Sequence, residues 1–581
     1  MTSIYEPQGI SADIFKKRYA LHENESWVEA CDRVAIHVAT AENGELVSKW
    51  RSKFFDILST NLFIPGGRIM YGSGRPKGQL MNCFVIGTSD SREGWGKTVS
   101  DMIIICGTGG GLGVNTSPIR PRGTVINGTG GSATGAVSLF EIINSAGEVI
   151  KAGGNRRTAL MFSLGLTHGD IEEFLDKKLD LKQLNNANVS VWFDENPEIF
   201  FNKVKHDHEL ELTFRGKVVG KVSAKKIWYK IIENSLKSGE PGILNGYLFN
   251  RMSNIAYYKP IICTNPCGEI GLIANDVCCL GALVLPRFVE NGEINYELLG
   301  NTIDSSVRFL DNVITVNNYP LPEIKETAND IRRIGLGIMG LHDLLLLLGM
   351  KYNSDKGLET IDHLMNFIKY RAYEASIELA KEKGTFPRFE AEPYLKGGFA
   401  KKLKPSIRSK IKEFGIRNCA ILTIAPTGTT SMVSGVTSGI EPMFAPAYER
   451  KYRDLDNSLK KEIVVHPLLK QFINEGRSVK HFQGAFDLKL RDHFEMQRIC
   501  QAHLDNACSK TINLPQGTST ETLSDLYMEF FPELKGITVY PDQSREDQPL
   551  TPLSLDKAIE LVNEAKEEVD SGKCRSGVCD L

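Results

Sequence analysis

A cysteine flanked by an asparagine and a glutamate is the segment of this chain best equipped for chemistry. Asn265, Cys267 and Glu269 alternate with Pro266 and Gly268, two residue types that favour a tight turn. Residues two apart point to the same side of an extended chain, so an amide, a thiol and a carboxylate would face one cavity. These groups can act as a hydrogen-bond donor, a hydrogen-atom or nucleophile centre, and a general base. A turn with a buried cysteine has the same pattern, and both interpretations stay open at this level.

The remaining cysteines divide into thiols that take part in redox or metal chemistry and thiols that only pack in the core. The chain has 12 cysteines, and a large chain without a secretory signal disfavours structural disulfides. Cys83 begins a predicted strand, whereas Cys278 and Cys279 follow soon after Cys267. Thiols so far apart in sequence meet only through the fold. A zinc site built from Cys263, Cys267, Cys278 and Cys279 is disfavoured because the chain has no C-x-x-C spacing, and we predict no metal ligands.

Two further cysteines, Cys574 and Cys579, lie in a polar, glycine-containing stretch at the C-terminus. A polar terminus is a poor place for core residues, and exposed thiols are a liability unless they are used. We therefore favour a role in thiol–disulfide exchange over the alternative of two incidental thiols.

A hydroxyl-rich segment over 426–431, with the sequence PTGTTS, is the second candidate site. It follows a predicted buried strand over 420–425. Small hydroxyl residues and glycine at the end of a strand present N–H and O–H donors, as phosphate sites do. The segment lacks the G-K-[ST] ending of a Walker A motif. An ordinary hydroxyl-rich turn is the alternative.

The elements that must position these residues alternate between helix and strand, which favours an α/β fold. The apolar spacing predicts helices within 11–60 and over 224–237, 301–316, 331–348 and 358–383. Strands are predicted over 83–86 and 188–193. A glycine-rich stretch over 107–154 permits close approach of the backbone to other groups.

Composition and charge exclude several classes of protein. The formal net charge is -2 and the sequence pI is about 6.6, so nothing indicates the basic face that binding of nucleic acid would need. Residues 1–18 lack the apolar stretch of a signal peptide, and the most apolar stretch, over 334–350, is short for a membrane span. The sequence therefore predicts a cytoplasmic protein without membrane or nucleic-acid partners.

Taken in order, these features resemble the ribonucleotide reductase catalytic subunit. The resemblance follows the sequence of Cys83, the Asn265-x-Cys267-x-Glu269 motif, Cys278, the 426–429 segment and the terminal cysteine pair. It runs from about residue 15 to the C-terminus, and shorter stretches at 79–85, 153–157 and 335–340 support it. Each stretch is modest alone, but all of them in the right order make a specific signal.

The resemblance implies a fold and a domain division. The fold is a ten-stranded α/β barrel of two five-stranded half-barrels, with a central finger loop that carries Cys267. The chain then divides into an N-terminal helical segment over 1–62, a barrel catalytic domain over 63–540 and a flexible C-terminal redox tail over 541–581.

The same resemblance implies a role for each residue of the site. Cys267 becomes the thiyl radical that abstracts the ribose 3′-hydrogen, Glu269 takes the 3′-hydroxyl proton, and Asn265 holds the substrate hydroxyls. Cys83 and Cys278 deliver two electrons as the 2′-hydroxyl leaves as water, and they become a disulfide. Cys279 adjoins Cys278 where the family more often has asparagine; spacing favours Cys278, but Cys279 stays open as a substitute.

Substrates, effectors and reductants are implied in the same way. Cys574 and Cys579 would reduce the active-site disulfide and be recharged by a thioredoxin- or glutaredoxin-like protein. The residues implied to bind the ribonucleotide substrate are Gly66, Asn82, Gly110, Gly111, Pro426, Thr427, Gly428, Thr429, Thr430 and Ser431. The candidates for binding dNTP or ATP effectors are Asp90, Arg92, Arg120 and Arg156. Effector sites of this family form at dimer contacts, so we expect a homodimer, in the cytoplasm of a bacterium or of the host of a phage.

The source of the radical distinguishes the classes of this family. Class I enzymes receive it from a ferritin-like partner through adjacent tyrosines near the C-terminus, but the corresponding segment here has Val539 before Tyr540. The adjacent Tyr257 and Tyr258 lie elsewhere, just before the finger-loop motif. The 535–542 segment, together with the lack of an N-terminal ATP-cone-like extension, resembles class II, which cleaves the Co–C bond of adenosylcobalamin. We therefore expect an adenosylcobalamin-dependent enzyme.

Two alternatives remain at this level. One is a class I-type catalytic subunit that needs a ferritin-like radical-generating partner. The other, more remote, is a non-enzymatic nucleotide-binding protein, which would explain the glycine-rich loops but not the separated cysteines. The number of phosphates on the substrate, two or three, is left open by the sequence.

Overall fold

The structure is a computed structural model that describes residues 3–128, 130–150, 158–179, 187–453, 459–542 and 550–570. The helices are α1 (Ile10–Arg18), α2 (Trp27–Ala39), α3 (Leu46–Ser59), α4 (Gly67–Gly72), α5 (Arg92–Gly107), α6 (Ala136–Val149), α7 (Ile171–Lys177), α8 (Pro197–Lys205), α9 (Ala224–Ser238), α10 (Gly246–Met252), α11 (Tyr296–Val316), α12 (Pro322–Ile331), α13 (Leu341–Leu347), α14 (Asp355–Lys383), α15 (Ala391–Leu395), α16 (Pro405–Phe414), α17 (Gly428–Ser434), α18 (Pro467–Asn474), α19 (Leu490–Gln501), α20 (Thr520–Phe530) and α21 (Leu555–Asp570).

The strands are β1 (Phe63–Pro65), β2 (Cys83–Ile86), β3 (Gly111–Asn115), β4 (Leu160–Gly165), β5 (Ala187–Trp192), β6 (Glu209–Phe214), β7 (Lys217–Ser223), β8 (Gly242–Leu244), β9 (Cys263–Thr264), β10 (Gly271–Leu272), β11 (Asp276–Val277), β12 (Leu280–Val284), β13 (Val289–Glu290), β14 (Glu293–Ile294), β15 (Gly335–Met339), β16 (Ala447–Arg453), β17 (Leu459–Val465), β18 (Thr511–Leu514), β19 (Gly536–Pro541) and β20 (Leu550–Leu553).

The N-terminal region is helical, as its apolar spacing predicts. Helix α2 begins at a capping box in which Ser26 and Glu29 satisfy each other's backbone N–H groups. Its apolar stripe, including Val34 and Val38, is buried against the rest of the molecule. Helix α1 packs on α17, which brings the N-terminal helices to the hydroxyl-rich segment of the sequence.

Two sheets form the framework around the candidate site. The larger has eight strands in the order β11-β2-β3-β4-β5-β8-β19-β18, and the run from β2 to β8 is parallel. The smaller has three strands in the order β1-β12-β15. Isolated parallel bridges, Leu336 to Leu422 and Ile424 to Cys508, extend the smaller sheet towards the region just before β18. The predicted mixed α/β fold with an N-terminal helical part is confirmed, whereas a closed barrel of ten strands stays a prediction.

A short hairpin lies against the larger sheet. Strands β9 and β10 pair antiparallel, with Thr264 opposite Gly271. A Cβ atom on Gly113 of β3 would lie 2.0 Å from the carbonyl oxygen of Thr264, so only glycine allows the hairpin to come this close. A small apolar cluster surrounds the hairpin; its buried members are Val85, Met161, Cys263, Ile270, Leu272, Cys278 and Leu280.

The helix predicted over 331–348 is wrong. This stretch is strand β15 followed by the short helix α13. Glycine alternates in it at Gly335 and Gly337, and a Cβ atom on Gly337 would lie 2.3 Å from the carbonyl oxygen of Thr423. The strand predicted over 420–425 makes only the two isolated bridges. The helices predicted over 224–237, 301–316 and 358–383 are confirmed as α9, α11 and α14.

No helix among the described residues is both long enough and apolar enough to cross a membrane.

Candidate active site

The motif Asn265–Glu269 forms the turn of the β9–β10 hairpin. The N–H of Gly268 donates to the carbonyl oxygen of Asn265 at 3.0 Å, and Gly268 has a φ of 79°, which glycine adopts readily. The segment is therefore the tight turn that Pro266 and Gly268 favour, and it does not have the extended geometry from which a common orientation of the three side chains was expected. As a result Cys267 is exposed at the tip, while Asn265 and Glu269 on either side are buried.

The two buried polar groups have spare hydrogen-bonding capacity. Among the described residues, neither Nδ2 of Asn265 nor Oε2 of Glu269 has a hydrogen-bond partner. Burial raises the pKa of Glu269 to about 7, although the Asn265 side chain opposes the shift. A carboxyl group with such a pKa can accept and return a proton near neutral pH. Buried unpaired groups are rare, and both would be satisfied by the hydroxyl groups of a bound ligand.

The backbone of Glu269 is held firmly from the opposite side. Its carbonyl oxygen accepts hydrogen bonds from Oγ1 of Thr423 at 2.6 Å and from the N–H of Ala507 at 2.9 Å. The Asn265 side chain closes the turn by accepting from the N–H of Ile270 at 3.1 Å. These contacts fix the hairpin base, so the three functional groups at its tip are pre-positioned.

The structure brings Cys83 and Cys278 together. Strand β11 pairs antiparallel with β2, and the N–H of Cys278 donates to the carbonyl oxygen of Cys83 at 2.9 Å. Burial, followed by contact with the Cys83 side chain, raises the pKa of Cys278 well above its usual range. Asp276 fixes the same strand through a buried ion pair with Arg333 at 2.8 Å. Two thiols on adjacent strands are suited to forming a disulfide.

Cys279 faces the other way. Its thiol donates to the carbonyl oxygen of Leu310 in α11 at 3.4 Å. Neighbouring residues in an extended chain point to opposite sides, so Cys278 and Cys279 cannot both face Cys83. The geometry therefore favours Cys278 as the partner of Cys83.

Gly111 lies between the hairpin and the thiol pair. A Cβ atom there would lie 3.0 Å from Cγ of Pro266 and 3.1 Å from the Cys83 sulfur. The carbonyl oxygen of Pro266 accepts from Nδ2 of Asn188 in β5 at 2.9 Å. The turn that carries Cys267 and the Cys83 thiol thus lie on the same part of the sheet. Gly110, by contrast, packs beneath the Phe84 ring.

Most of the predicted substrate residues line one small cavity of about 110 Å³, which we call the phosphate pocket after the role that the resemblance predicts for it. Those that line it are Gly66, Asn82, Pro426, Thr427, Gly428, Thr429 and Thr430. Gly110, Gly111 and Ser431 are not among its lining residues, and Ser431 uses its hydroxyl to bond the carbonyl oxygen of Gly428 at 3.0 Å. The pocket also contains Tyr19, which no motif identifies because it lies far away in the sequence, directly after α1.

A layer of hydrogen bonds behind the pocket orients Thr427. Its N–H donates to Oγ of Ser438 at 3.1 Å, and its Oγ1 accepts from the N–H of Gly439 at 3.0 Å. Thr437, which precedes Ser438, donates from both its N–H and its hydroxyl to Oδ2 of Asp343, at 2.7 and 2.6 Å. The buried carboxylate of Asp343 therefore fixes residues 437–439, and these residues in turn position Thr427.

Of the four predicted effector residues, the structure brings Asp90 and Arg120 into contact. Asp90 accepts from Nε of Arg120 at 2.9 Å and from Arg215 at 3.0 Å, and it lines a separate cavity of about 440 Å³. Arg92 is exposed at the first residue of α5. Arg156 lies outside the described residues, as do the tail cysteines Cys574 and Cys579.

The tyrosines considered for radical transfer lie in different parts of the structure. Tyr540 lies in β19, opposite Asn513 of β18. Tyr257 donates to the carbonyl oxygen of Arg388 at 2.7 Å, and Tyr258 donates to Asp330 at 3.4 Å, so both make structural contacts.

The sequence matches two parts of one protein family. Residues 5–78 match the family described as "Ribonucleotide reductase, all-alpha domain", and residues 81–540 match "Ribonucleotide reductase, barrel domain". The helical N-terminus and the mixed α/β remainder of the structure correspond to these two descriptions.

Curated relatives match most of the chain. The vitamin B12-dependent ribonucleoside-diphosphate reductase of Mycobacterium tuberculosis is 32% identical over 600 residues, covering 98% of this chain and 82% of that protein. A protein of the same name from Thermoplasma acidophilum is 32% identical over 575 residues, covering 92% and 72%. The ribonucleoside-diphosphate reductase subunit alpha of Chlamydia pneumoniae is 28% identical over 494 residues, covering 74% and 47%. With matches that extend from the N-terminal helices to β19, this chain belongs to the ribonucleotide reductase large-subunit family.

Proposed function

We propose that this chain is an adenosylcobalamin-dependent ribonucleotide reductase that converts ribonucleoside diphosphates to 2′-deoxyribonucleoside diphosphates. The observation that carries the proposal is the Asn265–Glu269 turn, where two buried and unpartnered polar atoms flank an exposed cysteine. The names of the relatives from Mycobacterium tuberculosis and Thermoplasma acidophilum support both the cofactor and the diphosphate substrate. The family itself supports the reaction type and makes the class I alternative the runner-up.

The reaction divides among the residues of the site. The Cys267 thiyl radical abstracts the 3′-hydrogen of the ribose, and Glu269 accepts the 3′-hydroxyl proton while Asn265 donates to a substrate hydroxyl. Loss of the 2′-hydroxyl as water leaves a substrate that must gain two electrons and a proton. Cys83 and Cys278 supply these electrons and two protons, one of which leaves in the water, and they become a disulfide. Glu269 returns its proton to the 3′-oxygen, and Cys267 returns its hydrogen atom to C3′. The substrate phosphates occupy the phosphate pocket.

Adenosylcobalamin would act at the exposed side of this site. The cofactor supplies a carbon radical by homolysis of its Co–C bond, which can take the hydrogen atom of a thiol. The Cys267 thiol is exposed at the tip of the hairpin, so a group approaching the turn at Cys267 and Gly268 can reach it. Asn265 and Glu269, buried beneath the same turn, stay available for the substrate.

We extend the proposal to the architecture. The chain divides into a helical segment over 1–62, a catalytic domain over 63–540 and a redox tail over 541–581, and the catalytic strands form a ten-stranded barrel around the hairpin. The apolar cluster around β9 and β10 and the bridges at Leu336 and Ile424 support a barrel in which the smaller sheet continues towards β18.

Partners and regulation complete the proposal. The tail thiols Cys574 and Cys579 reduce the active-site disulfide and are recharged by a thioredoxin- or glutaredoxin-like protein in the cytoplasm. A homodimer is supported by apolar side chains that α5 and α6 leave exposed, among them Ile103, Ile104 and Ile142. The Asp90–Arg120 pair is the centre of the proposed site for dNTP or ATP effectors.

The test is reduction of CDP by the purified chain with dithiothreitol, with and without adenosylcobalamin. We expect dCDP only with the cofactor, and no dCDP from the Cys267→Ser variant although it still binds CDP. Cys279→Ser is the matched control, because its thiol faces α11, and it should keep activity. No product with the cofactor, or equal activity of Cys267→Ser, contradicts the proposal.

A further inference from the structure

One side chain of the N-terminal helices reaches into the phosphate pocket. Tyr19, the residue that follows α1, is only 5% exposed, and its hydroxyl contacts the hydroxyl of Thr429. Its ring lies against Gly67, where a Cβ atom would be 3.1 Å from the ring edge and from the hydroxyl oxygen. The tyrosine thus forms a wall of the cavity rather than part of its distant support.

Tyr19 is held rigidly in this position. Its carbonyl oxygen accepts from Nη2 of Arg33 at 3.3 Å. The chain before it is attached to α17 by two hydroxyl groups: Oγ of Ser11, in α1, donates to the carbonyl oxygen of Met432 at 2.6 Å, and the hydroxyl of Tyr5, which precedes α1, donates to that of Val433 at 2.7 Å. These contacts fix the backbone that carries Tyr19.

The same pocket adjoins the thiols. It is lined by Asn82, which precedes Cys83, and by Leu280, which lies two residues after Cys278. Asn82 packs on Gly66, whereas Tyr19 packs on the next residue, Gly67, and its hydroxyl contacts Thr429. A substrate whose ribose lies at the thiols would therefore extend its phosphate chain towards Tyr19.

The pocket also lacks charge to compensate a third phosphate. Its described lining residues include hydroxyl, amide and backbone groups but no lysine or arginine. An additional phosphate group brings further negative charge, and transferring charge into a site without a cation is unfavourable. The limited space beside Tyr19 and the lack of a cation thus both disfavour binding of a third phosphate.

From these contacts we infer that Tyr19 determines substrate specificity: its ring ends the phosphate pocket after the second phosphate and so selects ribonucleoside diphosphates over triphosphates. The inference rests on the proposed function, in which the pocket binds the substrate phosphates. It assigns to the N-terminal helices a direct part in substrate choice, beyond their packing on the catalytic domain.

The test compares CDP and CTP as substrates and as ligands of the full-length chain. We expect wild type to prefer CDP by at least about tenfold in kcat/KM, the size of effect that a steric wall can supply. Tyr19→Ala should reduce this preference by about tenfold, mainly by lowering the KM for CTP. Tyr19→Phe should keep most of the preference, because the ring remains.

Tyr5→Phe is the matched control: it removes one contact of the N-terminal chain with α17 while the Ser11 contact remains, and Tyr5 does not line the pocket. It should leave the ratio of CDP to CTP unchanged. If Tyr19→Ala does not fold, Tyr19→Leu, which keeps apolar packing but shortens the wall, is measured by equilibrium binding of both nucleotides. The inference is overturned if the ratio is the same in wild type and in the Ala or Leu variant, or if Tyr5→Phe shifts it equally.

Failure of the inference is distinguishable from failure of the proposed function. If wild type reduces CTP as well as it reduces CDP, the reductase function stands and the role of Tyr19 falls. If neither nucleotide is reduced, binding decides: preferential binding of CDP that Tyr19→Ala or Tyr19→Leu abolishes supports the wall even though the reaction is different, and equal binding overturns it.

Discussion

The backbone N–H of Cys278 donates to the carbonyl oxygen of Cys83 at 2.9 Å, although the two residues lie far apart in the sequence. The register of β11 and β2 places Asp276 opposite Val85 and Val277 opposite Phe84, which continues to Cys278 opposite Cys83. Residues directly opposite each other in an antiparallel pair have Cα atoms about 4.5–5.5 Å apart, within the range that a disulfide spans. The backbone is therefore already arranged for a disulfide to form without a large movement.

The first prediction concerns this pair. Cys278→Ser should lower multiple-turnover reduction of CDP by at least about 10³-fold, because residues that act as a unit are lost together. Pre-reduced wild type without dithiothreitol should form deoxynucleotide in proportion to the thiols it loses, as measured by chromatography and thiol titration. Cys279→Ser is the control and should behave like wild type. If Cys279→Ser fails and Cys278→Ser does not, the pairing is wrong.

The second prediction is a pH dependence that arises from Glu269. Since burial raises its pKa to about 7, the carboxylate needed as a base is depleted below that pH. The value of kcat should fall about tenfold per pH unit on the acid side and level off above about pH 8. Glu269→Gln should lower kcat by about 10²- to 10⁴-fold and lose this acid limb. An unchanged acid limb in the variant would assign the titration to another group.

The same shift predicts an effect on stability. An unfolded glutamate has a pKa of about 4.3, so the folded chain binds this proton more tightly than the unfolded chain. The stabilisation is present at low pH and is lost as pH rises through the folded pKa of about 7. Glu269→Gln, which stays neutral, should therefore be more stable than wild type at about pH 8, by up to about 3 kcal/mol. Thermal unfolding at about pH 5 and 8 measures whether the difference grows with pH.

The third prediction tests the support of Thr427. Thr437→Val keeps the shape of the side chain but removes its hydroxyl bond to the buried carboxylate of Asp343. Leaving a buried acceptor with fewer partners costs about 1–3 kcal/mol, and the turn that orients Thr427 should loosen. We expect the KM for CDP to rise about five- to tenfold with a smaller change in kcat. Thr40→Val, which removes an exposed hydroxyl near the end of α2, is the control. A fall in kcat at constant KM would argue against this support of the pocket.

How much of this was predictable depends on the range of the interactions. The Asn265–Glu269 motif and the helices α9, α11 and α14 follow from local spacing, and their sequence patterns identify them. The exposure of Cys267 does not follow, because the residue types favour a turn but do not say which side chain of that turn faces outwards. The misassigned β15 shows the same limit: its apolar run is compatible with a helix until the contact of Gly337 with Thr423 is known.

Contacts between distant segments were beyond the sequence altogether. Tyr19 lies in a helical region whose pattern indicates only packing, and it becomes a candidate specificity residue because α1 packs on α17. The choice between Cys278 and Cys279 likewise needs the orientation of one short strand, which puts Cys279 against Leu310. Residue types indicate the chemistry, whereas the tertiary contacts decide which of several cysteines or tyrosines can take part in it.

The last prediction separates the two sources of the radical. If a ferritin-like partner supplied it, electrons would pass through tyrosines near β19, and Tyr540→Phe would abolish turnover because phenylalanine has no hydroxyl to oxidise. With adenosylcobalamin the radical arises beside the exposed Cys267, and Tyr540 serves only as a residue of β19 opposite Asn513. We therefore expect Tyr540→Phe to keep cobalamin-dependent reduction of CDP within about twofold of wild type, since such a substitution away from the chemistry changes little. Retention of activity by Tyr540→Phe together with its loss in Cys267→Ser would place the radical at the cysteine without a tyrosine relay, whereas loss in both would revive the class I alternative.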